Sequence, residues 1–357
     1  MKRLPTFRGS DREEETDATD ATDAEPENAP ETDDERTSSS SVRTSSLEST
    51  STTDGAEEGQ EVEGVEAGQD SVESDDSSVP EATRASSNTA RPVRTGSELV
   101  GTDLEIGYPD TDEPVVECER IDLPAGEVTA LVGPNGSGKS TLLKSLARQL
   151  APDRGAVLLD GDDTDEFGKK AFARQVGLLS QEHDSPGSIT VEELVYHGRY
   201  PYRGFFDAVD EADAEAVDRA IDLAGVDHLR EADVGSLSGG QKQLVWIAMS
   251  LAQETDVLLL DEPTTYLDLH HQLRVLEVVD ALTTERDVTV GVVLHDIGQA
   301  ARYADNLVAL RDGSVYDWGP PDEVVTDVLL EEVFGVVATV GYGEEGPIIQ
   351  PHHPVDR

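Results

Sequence analysis

The stretch Gly133-Pro134-Asn135-Gly136-Ser137-Gly138-Lys139-Ser140-Thr141 sets glycines, a lysine and a hydroxyl at the spacing G-x-x-x-x-G-K-[ST]. Glycines there let the backbone turn tightly, so that successive N–H groups point at phosphate oxygens. A helix starting near Lys139 would add the positive end of its dipole. Lys139 is then placed to reach β- and γ-phosphates, and Ser140 a magnesium ion. Further on, Asp261 and Glu262 stand side by side after the apolar run 257–260. Two carboxylates at the carboxyl end of a strand sit where open α/β sheets bind ligands. Asp261 suits magnesium and Glu262 suits removal of a proton from water. In a third stretch, Leu237-Ser238-Gly239-Gly240-Gln241, Ser238 is placed as a helix N-cap. Two glycines permit close backbone approach, which makes this a second candidate anion site.

These residues need a scaffold. The apolar run 128–132 leads into the glycine-rich loop as a strand, and 141–149 follows it as a helix. Upstream, 97–108 and 115–123 read as strands joined by the turn 109–114, an antiparallel β flap. Downstream, strands at 156–160, 176–179, 257–260 and 288–293 alternate with helices. An α/β domain with a mostly parallel core sheet is expected, with the glycine-rich loop at a carboxyl end. Residues 190–252 break the alternation: 191–198, 211–224 and 241–253 have helical spacing and predict an inserted helical subdomain. The chain closes with a hairpin around Asp312-Gly313 (308–311 and 314–318), a helix over 324–334 and a polar end.

Several single residues admit two readings. Tyr108, near the end of its strand, suits stacking on a base or an ordinary strand position. Gln181, directly after 176–179, reads on its own as a loop residue, and His295, after 288–293, as a structural histidine. Residues 199–206, Arg-Tyr-Pro-Tyr-Arg-Gly-Phe-Phe, concentrate aromatic and basic side chains in a chain poor in both, which suits an interface or a packed loop equally. His352 and His353 are adjacent but lack a metal ligand set.

Composition divides the 357 residues unequally. The first 97 hold 25 acidic and 9 basic residues among long Ser, Thr, Gly and Ala runs. Such a segment buries too little apolar area to offset its conformational entropy, and a disordered acidic tail is expected. Taking those from the totals of 76 and 27 leaves 51 acidic and 18 basic residues for 98–357, so the folded part is itself strongly negative. Nucleic acid is disfavoured as a partner, because binding it depends on Lys and Arg neutralising phosphates. An acidic, lysine-poor surface resembles that of proteins from salt-loving organisms, where molar salt shortens the Debye length to ~3 Å. Cys118 is the only cysteine, so no intrachain disulfide forms. No apolar run approaches the ~18 residues of a membrane span, and none follows the basic start as a signal peptide requires.

Taken together, the motifs resemble those of the ATP-binding subunit of an ABC transporter, a P-loop NTPase cassette. They are, in order, a Walker A loop at 133–141, a Q-loop at Gln181, the signature Leu237-Ser238-Gly239-Gly240-Gln241, Walker B at 257–262, a D-loop at Leu267-Asp268 and the switch His295. The signature just ahead of Walker B is the discriminating element, and the likeness spans 98 to about 345. Residues 261–272, Asp-Glu-Pro-Thr-Thr-Tyr-Leu-Asp-Leu-His-His-Gln, are similar to the iron-chelate (siderophore) import branch, whose relatives carry haem and cobalamin. Residues 246–253, Trp-Ile-Ala-Met-Ser-Leu-Ala-Gln, and Gly198-Arg199-Tyr200-Pro201 fit the same branch. Leu244 departs from the pattern, since arginine is commoner there.

The resemblance implies an ATPase on the cytoplasmic face of the membrane, bound to separate permease subunits and served indirectly by an extracytoplasmic substrate-binding protein. It implies a head-to-tail homodimer in which Ser238, Gly239, Gly240 and Gln241 of one copy cover ATP held by the other. Tyr108 would stack on adenine, Lys139 and the loop amides would hold phosphates, and Ser140, Gln181 and Asp261 would arrange magnesium. Glu262 would be the base, His295 would contact the γ-phosphate, and Asp268 would couple the two sites. The competing classes are a soluble ABC protein of DNA repair or translation and an exporter's ATPase. A single cassette and an acidic surface speak against the first, and the iron-branch motifs against the second.

Overall fold

The computed structural model describes residues 96–355 apart from 110, 112, 182–187, 205–207 and 345. The acidic segment expected to be disordered lies, up to residue 95, outside them. Twelve strands occur among the described residues. They are β1 (Leu99–Ile106), β2 (Val116–Leu123), β3 (Val128–Val132), β4 (Arg154–Leu159), β5 (Asp162–Asp163), β6 (Val176–Leu179), β7 (Val257–Asp261), β8 (Thr289–Val293), β9 (Asn306–Arg311), β10 (Ser314–Gly319), β11 (Val336–Gly343) and β12 (Gly346–Pro354). The first ten form one sheet in the order β5-β4-β1-β2-β10-β9-β3-β8-β7-β6.

That sheet has two characters, and the sequence explains both. Every residue of β3, β7 and β8 is buried, as continuous apolar runs require when helices cover both faces. These strands pair in parallel with one another, and β9 and β6 join the same way. Side chains alternate between two cores: Leu258 and Leu260 point into one, Val257 and Leu259 into the other. By contrast β1, β2 and β4 pair antiparallel, and β2 alternates buried with exposed positions, as expected of a flap wet on one face.

The helices are α1 (Lys139–Leu146), α2 (Lys169–Gln175), α3 (Val191–Tyr196), α4 (Glu211–Ala224), α5 (Gly239–Ala252), α6 (Leu269–Arg286), α7 (Ile297–Tyr303), α8 (Pro321–Val324) and α9 (Asp327–Glu332). Helices α3 to α5 form the insert, which leaves the sheet after β6 and returns at β7. Each starts on a side-chain cap: Thr190 in a capping box with Glu193, Asp210, and Ser238 in a capping box with Gln241. Such caps satisfy amide donors that the first helical turn leaves unpaired.

At 199–206 the packed-loop reading holds for Arg199, Pro201 and Tyr202. Arg199 is buried, with Nε 3.0 Å from Asp213 Oδ1 and Nη1 donating to Ala252 O at 2.8 Å and Glu254 Oε2 at 3.0 Å. Its guanidinium lies 4.0 Å from the centre of the Tyr202 ring. Tyr200 is exposed, and Phe205 and Phe206 lie outside the described residues.

The chain's end differs from expectation. In place of one helix over 324–334, α8 stops at Val324 and α9 starts afresh from the cap Thr326, whose hydroxyl accepts from Leu329 N at 3.1 Å. In place of a polar end, β11 and β12 form a separate antiparallel hairpin packed on α7 and α9, so the ordered chain runs past 345. No helix among the described residues is long and apolar enough to cross a membrane.

Candidate functional site

Parallel neighbours β3, β8, β7 and β6 are in register, with Leu131 opposite Val293, Val293 opposite Asp261, and Leu260 opposite Leu179. Their carboxyl ends therefore finish along one line. Each is followed within two residues by a motif residue: Gly133 after β3, His295 after β8, Glu262 after β7 and Gln181 after β6. Four stretches far apart in sequence meet because a parallel sheet delivers them to one edge.

The loop from Gly133 to Gly138 wraps toward the first turn of α1. Gly133 takes φ 147°, and a Cβ there would fall 2.2 Å from Leu310 O, so only glycine lets β3 turn against β9. Lys139 is buried, and its Nζ donates to Gly133 O and Pro134 O, both at 2.9 Å. An ammonium carries three donors, so the lysine braces its own loop with two and keeps one. Burial pulls the Lys139 ammonium below the usual lysine range, while the charges of Glu262 and Asp261 pull it back up.

Asp261 is buried, and its Oδ1 accepts from Ser140 Oγ at 2.7 Å. Its Oδ2 finds no hydrogen-bond partner among the described residues. A buried carboxylate oxygen left unpaired costs free energy unless something charged meets it. Burial raises the Asp261 carboxyl above the usual carboxylate range; donation from Ser140 and the charges of Lys144 and Lys139 oppose the shift, and Glu262 adds to it. Ser140 and Asp261 are hard oxygen donors and fit magnesium, which is held by one or two protein oxygens and substrate phosphates. No cluster of three or more His, Cys, Asp or Glu side chains able to cage a metal ion occurs among the described residues. His352 bonds instead to the Thr339 hydroxyl at 2.8 Å.

Glu262 takes φ 52°, a left-handed backbone uncommon outside glycine. Its carboxylate meets three donors. Gln181 Nε2 donates to Oε2 at 2.6 Å, Thr265 Oγ1 lies 3.2 Å from the same oxygen, and His295 Nε2 lies 2.7 Å from Oε1. The expected trio Gln181, Glu262 and His295 is thus brought together, and Thr265 joins it.

These residues surround a cleft of about 380 Å³ lined by Asn135, Gly136, Gly138, Lys139, Ser140, Thr141, Gln181, Glu262, Thr265, Tyr266 and His295. Pro134 and Ser137 belong to the loop behind it. A larger concavity of about 790 Å³ lies against the C-terminal hairpin and holds none of the motif residues. Tyr108 does not line the cleft; it is 41% exposed, and its hydroxyl lies 3.2 Å from Thr141 Oγ1, beside the loop. Thr265 and Tyr266 lie in the run 261–272, yet the sequence singled out neither for the site.

Ser238, Gly239, Gly240, Gln241 and Asp268 are also absent from the lining. The Ser238 hydroxyl accepts from Gln241 N at 3.3 Å, and Gln241 Oε1 accepts from Ser238 N at 3.0 Å, so both side chains serve the cap of α5. Asp268 caps α6 through His271 N at 3.0 Å, and its Oδ1 lies 2.8 Å from His271 Nδ1. Donation from His271 holds the Asp268 carboxyl below the usual range. The imidazole also packs on Gly240, where a Cβ would fall 2.5 Å from the ring. The signature and the D-loop thus share one surface, apart from the cleft.

A phosphate loop at the carboxyl edge of a parallel sheet, a carboxylate pair one strand away and a capped helical insert define a P-loop nucleotide-hydrolase cassette. The ABC transporter family model matches residues 119–265. The ferric enterobactin transport ATP-binding protein FepC of Escherichia coli (strain K12) is 46% identical over 240 residues, 67% of this chain and 88% of its own. A metal-chelate-type ABC transporter solved in an inward-facing conformation superposes with a TM-score of 0.62 at 27% identity, covering 73% of this chain and 98% of that one. The dimeric structure of a bacterial ABC transporter cassette gives a TM-score of 0.56 at 26% identity, covering 62% and 98%. The chain belongs to the ABC transporter family, as an ATP-binding subunit.

Proposed function

We propose that the chain binds and hydrolyses ATP to drive import of an iron–siderophore chelate through separate permease subunits at the cytoplasmic face of the membrane. The observation that carries the ATPase is the Glu262 carboxylate, 10% exposed, held by Gln181 and His295 at the rim of the phosphate loop. The cargo class rests on the likeness to FepC and to the metal-chelate transporter.

In this reading the amides of 133–139 and the third proton of Lys139 bind the β- and γ-phosphates, and Tyr108, beside Thr141, stacks on adenine. Asp261 and Ser140 would hold a magnesium ion, which neutralises charge on the phosphates when bound. Glu262 accepts a proton from water as the water oxygen forms its bond to the γ-phosphorus. The bond from phosphorus to the β–γ bridging oxygen breaks, and its electron pair leaves on ADP. His295 and Gln181 orient the γ-phosphate and the attacking water. Positioning and electrostatics supply most of the acceleration, and the base contributes on the order of 10²- to 10⁴-fold.

Because Ser238 to Gln241 and Asp268 stand outside the cleft, a second copy of the chain supplies them, as the dimeric relative suggests. Substitution tests the reading: Glu262→Gln keeps nucleotide affinity, loses turnover and accumulates a closed dimer. An undiminished ATPase rate in that variant removes Glu262 from the role. Uptake of radiolabelled ferric siderophore, haem and cobalamin by a strain lacking the chain tests the cargo, and loss of only haem or cobalamin uptake overturns it.

A further inference from the structure

We propose that Thr265 is the positioning residue that holds the Glu262 carboxylate in its working orientation, an inference that rests on the reading of Glu262 as the base. The three donors to this carboxylate are carried differently. Gln181 and His295 are long side chains that reach it from other strands, and His295 is 40% exposed at the cleft. All three line the cleft, but the long side chains of Gln181 and His295 are free to turn toward bound phosphates, which then compete for their hydrogen bonds. Thr265 sits three residues from Glu262 on the same turn, which is closed by Thr265 N donating to Glu262 O at 3.2 Å.

That turn is pinned from outside. Gln272 Nε2 donates to Leu267 O at 3.2 Å and reaches Thr264 O at 3.4 Å, and Gln272 Oε1 accepts from Gln299 Nε2 at 2.9 Å. A β-branched side chain on a pinned turn is stiff about its one heavy-atom torsion, so its hydroxyl stays in place. Thr265 now shares Oε2 with Gln181, and at 3.2 Å it makes the longer contact of the two. Once Gln181 turns to the nucleotide, that oxygen is no longer shared and the Thr265 bond can shorten. A carboxylate only accepts hydrogen bonds, so this donor fixes its rotamer.

The test compares Thr265→Val, which keeps the branched shape without the hydroxyl, with Thr265→Ser, which keeps the hydroxyl, in the full-length chain. Loss of one hydrogen bond to a charged group lowers kcat of Thr265→Val about ten-fold. KM for ATP stays at the wild-type value. Thr265→Ser restores kcat. A wild-type kcat in Thr265→Val overturns the inference, as does a raised KM that Thr265→Ser shares. Glu262→Gln separates the two failures: turnover in that variant sinks the base itself, whereas a silent Glu262→Gln beside an unimpaired Thr265→Val sinks only the role of Thr265.

Discussion

Asp213→Ala probes the buried ion pair inside the insert. The Arg199 and Asp213 side chains are each 6% exposed and 3.0 Å apart, so solvent screens their attraction little. Removing the carboxylate leaves the guanidinium buried with the Ala252 carbonyl and Glu254, whose side chain is 35% exposed and also pairs with Arg219. Breaking a buried pair on one side costs about 3–5 kcal/mol, and the remaining counter-charge argues for the lower end, about 3 kcal/mol. The helix itself does not suffer, because its cap runs from Asp210 to the backbone of residue 213 and alanine is a strong helix former. That loss is a large part of a typical 5–15 kcal/mol stability. Urea unfolding followed through Trp246, on α5 within the insert, measures it; the slope should stay constant while the midpoint falls. The control is Arg199→Met with Asp213→Leu, which removes both charges and costs less than Asp213→Ala alone. A loss below about 1 kcal/mol for Asp213→Ala, or a double variant no milder than the single, would refute the reasoning.

Other outcomes follow from the site and the surface. Burial raises the Asp261 pKa, so above 3.8 the native state holds its proton more tightly than the unfolded chain. Stability therefore falls as pH rises from 3.8 through the folded pKa, and a cost persists at neutral pH. Asp261→Asn should lift the ligand-free thermal midpoint at pH 7, by roughly 2–4 °C per kcal/mol released, and abolish magnesium-dependent turnover; a lower midpoint there contradicts this. Lys139→Ala removes the brace of the loop and its phosphate charge, and equilibrium binding should show ATP affinity reduced at least ten-fold with the fold intact by circular dichroism. The excess of acidic residues predicts a thermal midpoint that climbs between 0.1 and 2 M KCl, as ~10 Å screening shrinks to ~3 Å at molar salt; a flat profile would remove the salt-adaptation idea.

What could be read from sequence was local and periodic. The short, predominantly apolar runs behind β3, β7 and β8 announce buried strands, and 211–224 coincides with α4 because one apolar face, a capping Asp210 and a terminal Gly225 all agree. What escaped was tertiary. The bond from Gln181 to Glu262 spans 81 positions, and nothing near either residue encodes it. Hairpin β11–β12 was missed because most of its side chains are exposed, which erases the alternation of a half-buried strand, and Gly341, Gly343 and Gly346 weaken strand propensity.

Strand β6 sits at the edge of the sheet with β7 as its sole partner among the described residues, and residues 180–256 must be made between them. At ribosomal speeds of about 5–20 residues per second, the unpaired backbone of Val176–Leu179 waits roughly 4–15 s for its ladder. The neighbouring helices α3, α4 and α5 pack chiefly on one another, through contacts closer in sequence, and can assemble during that interval. Docking of β6 is then the late, high-contact-order event of folding. The four residues that position Gln181 form a short strand, a length that limits edge-to-edge association while they wait.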